Sequence, residues 1–501
     1  MNFSSVDYII IVVYLIGVAL FGILSSGKQK SAKDYFLGSK QIPWWAVCFS
    51  IVATETSTLT FVSIPGLAYL TNMSFLQLAV GYMIGRIVVA IVFIPRYYRG
   101  EMETAYQYLG NRFGDPMRKY SSITFIFLRI FADGVRLFVT AIPIKFITGF
   151  GYLECIIIVG AITLVYSYIG GIKAVIWTDV IQMFIYIGGA IASFWVILEL
   201  LPGGWQDVVN FATPGNKFQI FNFNFADSLQ SFFTGPYNVI GGLVGGAFLS
   251  MASHGTDQLI VQRLLTCEDK RSSQKAVIWS GVIVFFQFAI FLLIGIMLYA
   301  LYQGADFKTM VIDGYALTKS DEIFPRFIIQ NLPIGIAGLV VAGLLSASMS
   351  TLSSAFNSLA STTVFDLFKV KDDPNNPGKE LRFSRYATLF WGFVIICTGL
   401  LFQDEKNPAV DYALKIQSMI YGGLLGVFLL GMISKKANLS DAIISYSVAI
   451  VSLFLLFILP QFKIIPALNL TWFTFFGVII TFVVATITGM FHKKTNLTVN
   501  G

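Results

Sequence analysis

Eight consecutive residues, Ala53-Thr54-Glu55-Thr56-Ser57-Thr58-Leu59-Thr60, carry five hydroxyls and one carboxylate within an apolar segment running from about Trp44 to Leu70. An unpaired polar group in hydrocarbon costs several kcal/mol, so these side chains must face protein, water or a ligand. An interrupted membrane helix whose freed carbonyls bind a cation accounts for such a cluster. One or two hydroxyls bonding back to their own helix would account for a smaller one. A second polar stripe lies far along the chain. Ser346, Ser350, Ser353, Ser354 and Asn357 follow i, i+4, i+7, i+8, i+11 spacing and share one helical face. The two clusters offer hard, oxygen-only ligands, which suit a small hard cation, whereas soft transition metals want His or Cys. Taken alone, the serine stripe has a second reading as a packing seam against another helix.

Further charges lie at membrane depth. Asp179, in Ile176-Trp177-Thr178-Asp179-Val180-Ile181-Gln182, fits an ion or proton path, or a plain helix N-terminal acid. Asp133 and Arg136 are three apart and can pair on one helix. Arg136 can instead face Glu55 or an anionic solute, because guanidinium grips carboxylate bidentately. His254, Asp257 and Gln258 either contact solute or form a packing network, and Arg86 snorkels or pairs structurally.

The elements that must position these groups follow from composition. The 501 residues are 56% hydrophobic and only 12% charged, which marks an integral membrane protein. Thirteen helical spans are predicted, near 8–25, 43–70, 76–97, 119–148, 153–170, 174–201, 237–265, 274–303, 331–364, 384–402, 410–433, 439–460 and 468–491. Alternate connections then hold about 23 basic residues against 6, so the first set is cytoplasmic, the N-terminus outside and the C-terminus inside. The net charge of +7 is thereby a topology signal and calls for no nucleic acid. The N-terminus has neither a basic region nor a small-residue cleavage site, which predicts no removable signal peptide. The longest loops, about 202–236 and 304–330, fall outside and can form short lids; no soluble catalytic domain fits between spans, so an enzyme is not expected. Spans two to six and seven to eleven make two sets of five, and the first member of each is interrupted. In the second set the interruption is Gly241-Gly242, Gly245-Gly246 and Ser250 to Gln258. Paired broken helices in two halves point to a transport site near the midplane.

Four blocks together resemble the solute:sodium symporter family, which includes sodium–galactose, sodium–proline and sodium–sialic acid symporters. They are Ala53 to Pro65; Gly170-Gly171-Ile172 with Trp177 to Gln182; Gly255-Thr256-Asp257-Gln258 with Gln262-Arg263; and the serine stripe. The resemblance spans nearly the whole chain. It implies an all-α membrane protein of the leucine-transporter fold, with a peripheral first helix (8–25), two inverted five-helix repeats (43–201 and 237–433) and two C-terminal helices (439–491). By the same resemblance, one sodium would lie among the carbonyls of Ala53, Thr56 and Ala347 and the hydroxyls of Ser350 and Thr351. A second would use Asp179, Ser350, Ser353 and Ser354. Ser57, Thr60 and Arg136 match positions that hold the sugar acid in sialic acid symporters. Glu55 replaces a small hydroxyl residue, and Ala79 falls where a ligand-binding glutamine would be, with Gln77 nearby. The candidate solute contacts are therefore Glu55, Ser57, Thr60, Phe75, Gln77, Arg136 and Asp257.

The function implied is sodium-coupled symport of a small organic solute (a sugar, a sugar acid such as sialic acid, or a polyol) across a cytoplasmic membrane. One or two sodium ions would be co-transported, with no organic cofactor, and a monomer in the bilayer would suffice. A proton-coupled carrier in which Asp179 or Glu55 titrates is the alternative within transport, and a solute sensor the alternative outside it.

Overall fold

Apolar segments crossing a bilayer must satisfy their backbone internally, and this chain does so with helices. The computed structural model describes residues 4–223, 228–235, 238–312, 315–317, 320–371, 376–402 and 408–498. The first half contains α1 (Ser5–Ser25), α2 (Ala32–Leu37), α3 (Trp44–Glu55), α4 (Thr58–Leu70), α5 (Leu76–Val88), α6 (Ile94–Tyr97), α7 (Ala105–Phe113), α8 (Asp115–Thr148), α9 (Tyr152–Leu200), α10 (Trp205–Ala212) and α11 (Leu229–Thr234). The second contains α12 (Gly246–Gly255), α13 (Gln258–Leu264), α14 (Lys270–Leu301), α15 (Ile323–Asn331), α16 (Ile336–Thr362), α17 (Lys379–Leu401), α18 (Pro408–Ile433), α19 (Leu439–Ile458) and α20 (Phe473–Thr498). Among the described residues, eight helices are long and apolar enough to cross a membrane, or nine with the bent pair α3–α4 counted as one. The loops expected outside carry the short helices α10, α11 and α15.

The 49 residues of α9, if straight, would run for about 74 Å, more than twice the hydrocarbon thickness. Gly171 breaks it, with φ +56° and ψ −150°. A Cβ there would lie 2.4 Å from the Tyr35 carbonyl, so a larger residue is excluded on both counts. The break falls between the predicted segments 153–170 and 174–201.

The helices pack as two facing groups. In one, α14 lies against α3, α4 and α5, and α5 lies against α12. That last contact is close because Gly85 offers no side chain: a Cβ would meet the Ala247 carbonyl at 2.4 Å. In the other group α16 runs along α9, and both touch α8 and α17. Helices α18, α19 and α20 pack together and lean on α8 and α12. Although peripheral, α1 is tied to the second group. Its buried Asp7 Oδ1 accepts from the amides of Gly335 and Gly338 at 2.8 Å each, capping the start of α16. Tyr14 accepts a hydrogen bond from Ser346 at 2.8 Å.

Candidate functional site

The opening cluster interrupts its helix, as its composition predicts. Thr54 and Thr56 bond back to the Ser50 and Val52 carbonyls, a habit that bends helices. Thr56 (ψ 91°) and Ser57 (ψ 168°) are extended, and the chain resumes as α4 after a 61° bend. Helix ends leave carbonyls without helical partners. Those of Ala53 and Thr54 point at α16, where Ser350 Oγ lies 2.8 Å from the Ala53 oxygen and Thr351 Oγ1 lies 3.1 Å from that of Thr54. Both hydroxyls also lie 3.2 Å from the Ala347 carbonyl. Each hydroxyl has a single proton, so two protons serve three carbonyl oxygens. A hard cation fits such a set of neutral oxygens, which can coordinate it through their free lone pairs. Ala53, Ala347, Ser350 and Thr351 are thus brought together. The Thr56 hydroxyl is fixed separately by Gln287 Nε2 at 2.5 Å and Tyr186 OH at 3.3 Å.

About one helical turn along α16, Asp179 from the second arm of α9 is fully buried. Its Oδ2 accepts from Ser50 Oγ at 2.5 Å and from Arg263 Nη2 at 3.1 Å, whereas Oδ1 has no hydrogen-bond partner. Arg263 Nη2 also donates to Ser354 Oγ, and Thr54 Oγ1 lies 3.1 Å from the same oxygen. Ser353 and Ser354 both bond back to the Ser350 carbonyl. Asp179, Ser350, Ser353 and Ser354 therefore form one neighbourhood, with Arg263 as an additional member. In the sequence Arg263 reads as one more cytoplasmic basic residue. The structure buries it completely, because α13 is enclosed on all sides.

Above these sites lies a cavity of about 250 Å3. It is lined by Thr54, Glu55, Ser57 and Thr351 from the two polar clusters, by Arg129 and Arg136 of α8, by Ser253, His254 and Asp257, and by Gln417, Ser418 and Tyr421 of α18. Its charges are paired. Glu55 is bonded by Arg86 Nη2, while Arg86 Nη1 donates to Ser280 at 2.9 Å. Arg86 is wholly buried and so does not snorkel, and it takes the place at Glu55 that Arg136 was free to fill. His254 Nε2 lies 3.6 Å from Glu55, and its Nδ1 lies 2.8 Å from Ser253 Oγ. Asp257 caps α13 through the Leu259 amide and also accepts from Arg129 and Tyr421. Arg136 gives Nη1 to Asp133 at 2.8 Å, as its spacing predicts, and Nη2 to the Gln417 amide oxygen at 2.7 Å.

Three candidate solute contacts lie elsewhere. Thr60 is half-buried on α4, outside the cavity wall. Phe75 stacks edge-on against Phe288, with ring centroids 5.0 Å apart. Gln77 is buried, donating to the Ser74 carbonyl and accepting from the Asn222 amide at 3.0 Å each, and it is not part of the cavity wall. Sequence reasoning did not reach Gln417 and Tyr421. Two polar side chains four apart on an apolar helix were the available signal.

The profile described as Sodium:solute symporter family matches residues 35–448. The chain is 29% identical to a sodium/sialic acid symporter of Aliivibrio fischeri, over 88% of this chain and 86% of that one. It is 27% identical to one of Proteus mirabilis, over 90% and 89%. A solved Na+-coupled sialic acid symporter in a substrate-bound outward-open state is 25% identical, with a TM-score of 0.85 over 98% of each chain. A nucleobase-cation-symport-1 family transporter in a closed conformation, 15% identical with a TM-score of 0.55 over 91% and 93%, shares the fold alone. The architecture is the expected leucine-transporter one.

Proposed function

This chain belongs to the sodium:solute symporter family and is a sodium-coupled symporter working by alternating access, and we propose that it carries a small sugar acid held by Arg136. The observation that supports this substrate class is the contact from Arg136 Nη2 to Gln417. A neutral amide oxygen occupies one prong of a guanidinium fork that opens into the cavity. A solute carboxylate replacing that oxygen adds the attraction of opposite charges to a hydrogen bond in which only the donor is now ionised, and can accept from both prongs. Ser57, His254 and Gln417 then face the solute's hydroxyls. The two bacterial relatives act on a sugar acid, in keeping with this reading.

The first sodium would lie among the Ala53, Thr56 and Ala347 carbonyls and the Ser350 and Thr351 hydroxyls, and the second beside Asp179, Ser350, Ser353 and Ser354. The first set joins α3 to α16, so an ion there links the two helix groups, whereas the second lies between α9 and α16, within one group. Loss of the ions to the cytoplasm frees the groups to move and the solute to leave. The membrane potential contributes about 2.3 kcal/mol per net charge moved per 100 mV; with a monoanionic sugar acid one sodium makes the step electroneutral, and a second sodium is what lets the potential drive it. The reading places the protein in a bacterial cytoplasmic membrane with thirteen spans, the N-terminus outside and the C-terminus inside. The inverted repeats would be 43–201 and 237–433, with 8–25 and 439–491 flanking them.

A neutral sugar or polyol is the second reading, favoured by the balance of three carboxylates (Glu55, Asp133, Asp257) against three guanidinium groups (Arg86, Arg129, Arg136) around the cavity. Counterflow in proteoliposomes with a labelled sugar acid and labelled neutral hexoses separates the two. Sodium-dependent exchange of the acid, lost in Arg136→Lys, supports the first. Exchange of hexose alone, indifferent to Arg136→Lys, overturns it.

A further inference from the structure

Arg263 stands where a cation is expected. Its Nη2 lies 3.1 Å from Asp179 Oδ2 and also bonds Ser354, while Nε donates to Ser50 at 2.8 Å and Nη1 to the Leu259 carbonyl at 2.7 Å. Arg263, Asp179, Ser50 and Ser354 are all shut off from solvent. Two of the oxygen donors read above as holding the second sodium, Asp179 and Ser354, are therefore already occupied by a fixed positive charge. A buried carboxylate balances one unit of positive charge; a second cation beside it in a dry site is repelled, and an unpaired carboxylate there is strongly disfavoured. Asp179 thus requires one cation at every stage of the cycle and has room for one.

We propose that Arg263 and the second sodium are alternative occupants of Asp179. Arg263 is the internal counter-cation that neutralises the site when the ion is gone, and it is displaced when sodium binds. The inference rests on the two-sodium reading above and adds to it an exchange partner. Its position fits the task. Arg263 sits on α13, directly after the break at Thr256–Asp257, and α13 lies against both α3, which carries Ser50, and α16, which carries Ser354, so the guanidinium stands at the junction of the two groups. Asp179 Oδ1, buried and without a hydrogen-bond partner, is the oxygen open to the incoming ion as the guanidinium withdraws from Oδ2. A symporter must return empty, and a guanidinium supplied from within lets the buried carboxylate make that step paired.

The test is the sodium dependence of thermal unfolding of the purified full chain, with choline chloride holding ionic strength constant. Without its competitor, Arg263→Met reaches its sodium-induced stabilisation at about tenfold lower sodium, within the usual range of coupling between two ligands. Arg263→Lys, which keeps a charge on the side chain, stays nearer the wild type. An unchanged or higher sodium midpoint in Arg263→Met overturns the exchange. So does failure of that variant to fold at saturating sodium, since sodium would then be no substitute for the guanidinium. Asp179→Asn separates this from the premise. If its sodium response equals that of the wild type, the second site falls and the exchange with it. If the second step is lost there while Arg263→Met does not move, the exchange alone is overturned.

Discussion

The Glu55–Arg86 pair borders the candidate solute cavity, and the two residues can be separated one charge at a time. Glu55 is the exposed edge of the pair, with a fifth of its side chain accessible, whereas Arg86 is fully enclosed. Glu55→Gln leaves Arg86 as an unmatched positive charge behind the cavity wall; Arg86→Met leaves Glu55 as an unmatched negative one. A roughly spherical cavity of 250 Å3 is about 8 Å across. At that separation and an effective dielectric constant of about 20, one unit charge acts on a solute carboxylate with about 2 kcal/mol, or about 30-fold in affinity. The readout is the ratio of inhibition constants for a sugar acid and its uncharged amide in sodium-driven counterflow. Both ligands meet the same protein, so any loss of folding in Arg86→Met, where breaking a buried pair costs about 3–5 kcal/mol, cancels in the ratio. The ratio should shift about 30-fold toward the acid in Glu55→Gln, about 30-fold toward the amide in Arg86→Met, and return close to wild type in the double variant. Single variants that both leave it within about threefold would show that Glu55 does not govern charge selectivity, and the electrostatic reasoning would fail.

Removing one hydroxyl from the proposed first cation site, in Ser350→Ala or Thr351→Val, should raise half-saturating sodium about 10- to 150-fold, taking the lost ion–oxygen contact as comparable to a hydrogen bond to a charged group, about 1.5–3 kcal/mol. Thr351→Ser, which keeps the oxygen, should stay within a few-fold; sodium titration of counterflow measures all three. Asp7→Ala should lower thermal stability by about 1–3 kcal/mol by orphaning the amides of Gly335 and Gly338, and Asp7→Asn, which retains an acceptor, should lose less. Lys217, in the connection between α10 and α11, donates to the Tyr69 carbonyl at 2.6 Å, and burial pushes its pKa down to about 8. The folded chain therefore gives up this proton before the unfolded chain does. The wild type should gain thermal stability relative to Lys217→Met as pH rises from about 8 toward 10, a trend readable from paired melting curves.

Much of this protein is written into local chemistry. Five hydroxyls beside one carboxylate cannot stay in a plain apolar helix, so the break at Thr56–Ser57 is legible from residue type alone. The serine stripe on α16 is legible from spacing, because a helix fixes which residues share a face. Asp133 and Arg136, three apart, find each other for the same reason. Gln77 shows the limit: it lies two residues from the position at which the resemblance places a solute-binding glutamine, but the Asn222 amide, 145 residues away, bonds its side chain.

Pairings between distant segments belong to the same class. Glu55 takes Arg86 as its partner and leaves Arg136 to Asp133 and Gln417, and no spacing rule reaches across the intervening helices. Arg263 reads in the sequence as a cytoplasmic basic residue and becomes a buried counter-cation only because α13 folds inward onto Asp179. The sequence by itself determined the membrane class, the broken helices and the oxygen-rich faces, since those follow from solvation and helical period. Only the tertiary structure decided which charge neutralises which, because a buried charge is balanced by whatever the packing of distant helices brings within a few ångströms.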